Sequence, residues 1–198
     1  MYNELLDKGY ACLRRGDPEA ARARFQHAIA AEPQRPQGYF GIAQTYIEQE
    51  SERESSEEAF QALLKAVEVD PTYVAARAYL AIEYFKRYDI DNAQKEIEQA
   101  LHDEPTNLLV HIKYAEYYYR LGFYHRSVEL LEKGLKGPHG ANEHIVATAR
   151  QFLTKARQKS SNIILRQPPD PRPILHFFAR LLPHRSKKTQ SPGKVESS

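Results

Sequence analysis

The chain has 198 residues, 41% of them hydrophobic and 27% charged, with a formal net charge of +2. That length suits one solenoid or one ordinary domain. A single cysteine, Cys12, excludes an intrachain disulfide and points to a reducing compartment. No apolar run approaches the roughly 18–20 residues needed to span a bilayer, and no basic-then-apolar leader precedes the first regular segment, so a cytoplasmic location is expected. The charge is unevenly placed: residues 1–156 hold 19 basic and 24 acidic side chains, residues 157–198 hold 9 basic and 2 acidic ones.

In chain order, a first helix starts almost at Met1 and ends at Gly16. Asp17-Pro18 then supplies an N-cap followed by proline at the first helical position. A second block opens near Pro36. Its surplus residues lie in Gln49 to Ser56, polar and charged, and Ser55 with Glu58 reads as a capping box that restarts the helix. The third block, Val74 to Asn107, is the clearest. Leu80, Ala81 and Tyr84 share one helical face, Asp89 offers a cap, Ala93, Ile97 and Ala100 line the next helix, and Pro105 stops it. A fourth block drifts, with Gly134 and His139 where alanine and proline stood earlier. From Asn142 to Lys159, Ile145, Val146, Ala149, Phe152, Leu153 and Ala156 form one apolar stripe, as in a helix that covers the last block and faces water on its other side.

Shifting the third block by about 34 residues aligns small side chains in three sets. These are Gly9, Ala43, Ala81 and Ala115; Ala21, Ala59, Ala93 and Ser127; and Ala28, Ala66, Ala100 and Gly134. Small residues recur where antiparallel helices approach to roughly 8–10 Å. Phe25, Leu63, Ile97 and Leu131 fill the gaps from the second helices, and Pro33, Pro71 and Pro105 close successive blocks.

This pattern, over about Tyr2 to Ala141, resembles the tetratricopeptide repeat family. The resemblance implies an all-α, right-handed solenoid of four helix pairs (about 2–35, 36–73, 74–107 and 108–141), a capping helix at 142–159 and a mobile tail at 160–198. It also implies a concave wall built by the first helix of each pair. At the family's wall positions stand Leu6, Tyr10 and Leu13, then Phe40, Gln44 and Ile47, then Ile82 and Phe85, then Leu109, Ile112, Glu116 and Tyr119. Most are apolar or aromatic, so an exposed apolar strip that takes a hydrophobic or amphipathic helical peptide is expected. The alternative is that these side chains pack on one another. One subclass grips the carboxylate end of heat-shock chaperones with Lys, Asn, Asn, Lys and Arg. Here those places hold Leu6, Tyr10, Gly41, Ala75 and Tyr79, so no chaperone tail is expected as a partner.

No phosphate loop, nucleophile elbow or HExxH pair is present, and the histidines are scattered, with His139 and His144 straddling a helix start. A non-enzymatic protein scaffold or adaptor without cofactor or metal is therefore expected. After Ser160 the chain holds Pro168, Pro169, Pro171 and Pro173, read as an extended linker that reaches about 40 Å at ~3.1 Å per residue. Residues 173–183 then form a short amphipathic helix whose Ile174, Leu175, Phe177, Phe178, Leu181 and Leu182 fall within an arc of roughly 160°. Ile174, Phe177, Phe178 and Leu181 are expected to dock on protein, either the chain's own solenoid or a partner's. The competing reading makes the basic tail a tether to a membrane surface or nucleic acid.

Overall fold

A computed structural model describes residues 1–48 and 56–161. Among them are nine helices and no strand: α1 (Tyr2–Arg14), α2 (Pro18–Ala31), α3 (Pro36–Ile47), α4 (Glu57–Val69), α5 (Val74–Lys86), α6 (Ile90–Asp103), α7 (Leu108–Arg120), α8 (Tyr124–Lys136) and α9 (Glu143–Ser161). The first eight pack as four pairs, each second helix packs on the first helix of the next pair, and α9 lies on α7 and α8. Among the described residues no helix is long and apolar enough to cross a membrane. The predicted tail helix, with Ile174, Phe177, Phe178 and Leu181, lies outside the described residues, as does Ser55.

Local chemistry sets the helix ends. The carboxylate of Asp17 accepts from Ala20 N at 3.0 Å, and that of Asp89 from Asn92 N at 3.2 Å. Asn107 accepts from Leu109 N and Val110 N, and Asn142 from Ile145 N at 3.0 Å. The expected Ser55–Glu58 capping box is replaced by a cap one residue later. Helix α4 begins at Glu57, so the oxygen that reaches its third amide, Ala59 N, belongs to Ser56 (3.1 Å). The Ser56 hydroxyl in turn donates to the Glu58 carboxylate at 2.9 Å. Pro33, Pro71 and Pro105 each stand two residues beyond the end of a second helix, where a missing amide costs nothing.

All twelve aligned small residues are buried, nine of them alanines and one a serine without measurable exposure. The side chains between them, Phe25, Leu63, Ile97 and Leu131, are fully enclosed. Phe25 shows why the spacing is strict. A Cβ on Gly9 would lie 2.5 Å from its ring, and one on Gly41 2.6 Å. One aromatic ring of α2 is thus held between a glycine of α1 and a glycine of α3. Gly134 plays the same part for His111, whose Cβ would be 2.7 Å from an added methyl.

Three of the turns inside pairs share one backbone form. Gly16 N donates to Leu13 O and Asp17 N to Cys12 O; Tyr88 N to Phe85 O and Asp89 N to Tyr84 O; Gly122 N to Tyr119 O and Phe123 N to Tyr118 O. This paired pattern is a Schellman motif, which needs a left-handed residue at its turn position. Gly16 and Gly122 adopt φ of +77° and +84°, and Tyr88 adopts +61°. A left-handed non-glycine residue costs roughly 1–2 kcal/mol.

Gly41→Ala should force the Phe25 ring out of its slot and cost roughly 1–3 kcal/mol in urea unfolding. Gln26→Ala, an exposed change on the same helix as Phe25, should stay within about ±0.5 kcal/mol. Equal effects would show that the glycine does not set the α2–α3 approach.

Candidate ligand-binding wall

The first helices lie side by side: α1 packs on α3, α5 on α7 and α7 on α9, and Phe40 of α3 meets Tyr79 of α5 edge-on at 5.2 Å. The expectation of a continuous exposed apolar strip along them is corrected by burial. Leu6, Leu13, Phe40, Ile82 and Ile112 are between 3% and 8% exposed and belong to the interior clusters. The cause is the closeness of successive first helices, which lets apolar side chains cover one another. Tyr10, Gln44, Ile47, Phe85, Leu109, Glu116 and Tyr119 remain partly exposed. Gln44 also keeps a buried amide oxygen without a hydrogen-bond partner.

What the wall holds in place of an apolar strip is a ladder of rings and paired charges. Phe40 packs edge-on against Tyr73 (5.5 Å) as well as Tyr79. The Tyr79 ring carries the Lys113 ammonium 4.0 Å from its centroid. Lys113 Nζ donates to Glu116 at 2.9 Å, and Glu116 accepts from Arg120 Nε and Nη2 at 2.9 and 2.7 Å. Positions 113, 116 and 120 share one face of α7 by i, i+3 and i+4 spacing. Beyond them, Tyr119 meets Tyr124 at 4.9 Å and Phe152 of α9 at 5.3 Å, and Lys155 sits over its ring at 5.4 Å. On α5, Lys86 and Glu83 form a nearly buried pair at 2.8 Å, with the second Glu83 oxygen left without a hydrogen bond.

The electrostatics follow from this packing. Burial pushes the Glu116 carboxyl up, but the Lys113 and Arg120 charges outweigh it and hold the group at about 2. Burial lowers Lys113, and Glu116 more than compensates, leaving it above its ordinary value. Burial also pushes the Tyr73 phenol up to about 12, and raises Tyr10, with Tyr73 and Tyr79 nearby adding to the effect. These tyrosines are therefore neutral rings at any physiological pH. Sequence reading alone did not assign Lys113 and Tyr79 to the site. The spacing on α7 marks the charge triad, but the contact to Tyr79 crosses 34 residues and needed the fold.

Because Glu116 titrates near 4.5 when unfolded and about 2 when folded, its contribution is complete above pH 4.5 and is lost as the pH falls toward 2. Glu116→Gln should lower stability at pH 7 and show a shallower acid loss than wild type, a difference on the order of 3 kcal/mol at most. Parallel pH profiles for the two proteins in urea melts would contradict the triad.

The comparisons with known proteins agree with this architecture. A profile for the tetratricopeptide repeat matches residues 6–73. The chain is 28% identical over 132 residues to mouse interferon-induced protein with tetratricopeptide repeats 3, an alignment of 66% of this chain and 32% of that protein. Human IFIT1, solved as a dimer with m7Gppp-AAAA, superposes with a TM-score of 0.63 at 21% identity, over 82% of this chain and 37% of that one. TTC0263, a thermophilic TPR protein of Thermus thermophilus, superposes with a TM-score of 0.58 at 18% identity, over 92% of this chain and all of its own. The chain thus spans about a third of the length of the mouse protein. Residues 6–73 thus match the tetratricopeptide repeat, and the described residues share the stacked helix-pair fold of the solved tetratricopeptide repeat proteins.

Proposed function

We propose that the chain is a non-enzymatic protein-interaction scaffold that binds an amphipathic peptide segment along the wall of its first helices. The observation that carries this reading is the fixed, partly exposed ladder on α7 and its neighbours. Charges held among Tyr79, Lys113, Glu116 and Arg120 share the wall of first helices with the partly exposed side chains of Tyr10, Ile47, Phe85, Leu109 and Tyr119. A surface already ordered loses little side-chain entropy when a ligand arrives. Aromatic and aliphatic faces beside fixed charges suit a segment with one apolar and one polar side, so the ligand is amphipathic rather than wholly hydrophobic. The chain's own residues 173–183, with Ile174, Phe177, Phe178 and Leu181, have that composition and are one candidate occupant.

The second reading rests on the basic residues 157–198, which suit a tether to nucleic acid or to an anionic membrane surface. The likeness to human IFIT1, solved with a capped oligonucleotide, makes RNA the first nucleic acid to test.

Ile47→Asp/Leu109→Asp in the full chain should remove bound proteins from affinity pull-downs at both 0.1 and 0.5 M salt, where wild type retains them. Phe177→Asp/Phe178→Asp should either leave these partners in place or, if the segment occupies the wall, increase their capture. Partners kept by the wall variant, together with RNA or vesicle binding lost at 0.5 M salt, would favour the tether.

A further inference from the structure

Successive helix pairs are tied together by one side-chain hydrogen bond that recurs with different residues. The fourth residue of α3, α5 and α7 reaches back six places to the carbonyl of the proline that closes the preceding pair. Tyr39 Oη donates to Pro33 O at 3.1 Å and Arg77 Nε to Pro71 O at 2.6 Å, while His111 Nε2 lies 2.9 Å from Pro105 O. Of these three side chains only the imidazole ordinarily changes its charge between pH 5 and 8.

The surroundings of His111 leave a second proton no good place. A carbonyl oxygen only accepts, so Nε2 carries the hydrogen and Nδ1 is the bare nitrogen of the neutral ring. That nitrogen is buried without a hydrogen-bond partner, and the residue is 1% exposed. Gly134 of α8 closes over it: a Cβ there would lie 2.7 Å from His111 Cβ and 2.9 Å from Cγ. The earlier pairs carry Ala28, Ala66 and Ala100 at that place, so α8 comes nearer to α7 than a methyl group would allow. Burial lowers the proton affinity of the ring and outweighs the pull of the Pro105 and Leu130 carbonyls, and the Lys133 ammonium on α8 lowers it further. Among the described residues no carboxylate of α5, α6, α8 or α9 offsets this.

The ring also stands at a critical junction. Leu108 and Ile112, on either side of His111 in α7, share an interior cluster with Leu131 of α8 and Leu153 of α9. In a stack whose pairs touch only their neighbours, an end pair is held on one side and opens most readily.

We propose that His111 makes the α7–α8 junction an acid-sensitive latch: protonation at Nδ1 places a charge between the two helices, and α8 with α9 loosens from α7, uncovering Leu108 and Ile112. The folded ring takes a proton less readily than the unfolded one, whose ordinary value is 6.5. The junction therefore has its full stability above pH 6.5 and loses it as the pH falls below that value. This window lies apart from the loss of the Glu116 contribution, which falls between pH 4.5 and about 2. The latch does not depend on the reading of the first-helix wall.

The test follows imidazole nitrogen shifts and amide exchange of the full chain between pH 7.5 and 5.5, with exchange corrected for the pH dependence of its chemical step. The proposal requires His111 in the Nε2–H form at pH 7.5 and titrating below 6.5. It also requires that opening of the α8 and α9 amides rise at least about threefold by pH 5.5, with α1 to α4 unchanged. His111→Gln keeps a donor for Pro105 O but cannot titrate, so it should remove the rise. His139→Gln should keep it, although the His139 ring accepts from Ala141 N at 3.1 Å in the turn before α9. Should His111→Gln not fold, the wild-type opening must still track the His111 titration. A ring that titrates at 6.5 or above, opening that does not change with pH or does not track the ring, a rise that survives His111→Gln, or one abolished by His139→Gln would each overturn the proposal.

Discussion

The close packing of the helices at their small residues is the constraint on which the rest depends. Phe25 can enter the stack only because Gly9 and Gly41 leave its ring a slot. Interiors are packed at crystal-like density, so one methyl group at such a point must displace a ring or a helix. Once each pair is closed, the position of the next first helix is set by the second helix beneath it. The order of the wall follows from that.

Close first helices explain the character of the wall. Apolar side chains that would form a strip on separated helices here cover one another, as the near-complete burial of Phe40 and Ile82 shows. Polar groups caught in the same space must be paired, because an unpaired charge with little access to water is costly. Glu116 answers this with two cations, and Lys113 with a carboxylate and a tyrosine ring. The result is a surface whose charges are fixed before any ligand arrives. Glu83 is satisfied at one oxygen only, so the junction between α5 and its neighbours retains polar capacity that the described contacts do not use.

Much of this was legible in the sequence, and the misses have physical causes. The 34-residue spacing of small residues and the prolines after each second helix are local signals, and the helix pairs follow them. Periodicity assigns a side chain to a face of its helix, but not the distance to the next helix. The wall positions implied by the family resemblance likewise picked out Leu6, Leu13, Phe40, Ile82 and Ile112 without showing that neighbours bury them. The cap at Ser56 was missed by one residue because both serines precede the helix and only its first amides decide between them. The strain at Tyr88 had no sequence mark, since the other two turns of that form use glycine.

The central claim is that the first helices, and not their partners in each pair, form the binding surface. Amide hydrogen exchange on the full chain, free and in complex with a protein recovered by it, tests this most directly. The account predicts slowed exchange over α1, α3, α5 and α7, strongest around Lys113 to Arg120, with α2, α4, α6 and α8 nearly unchanged. Protection confined to the second helices or to residues 162–198, with the first helices unaffected, would contradict it.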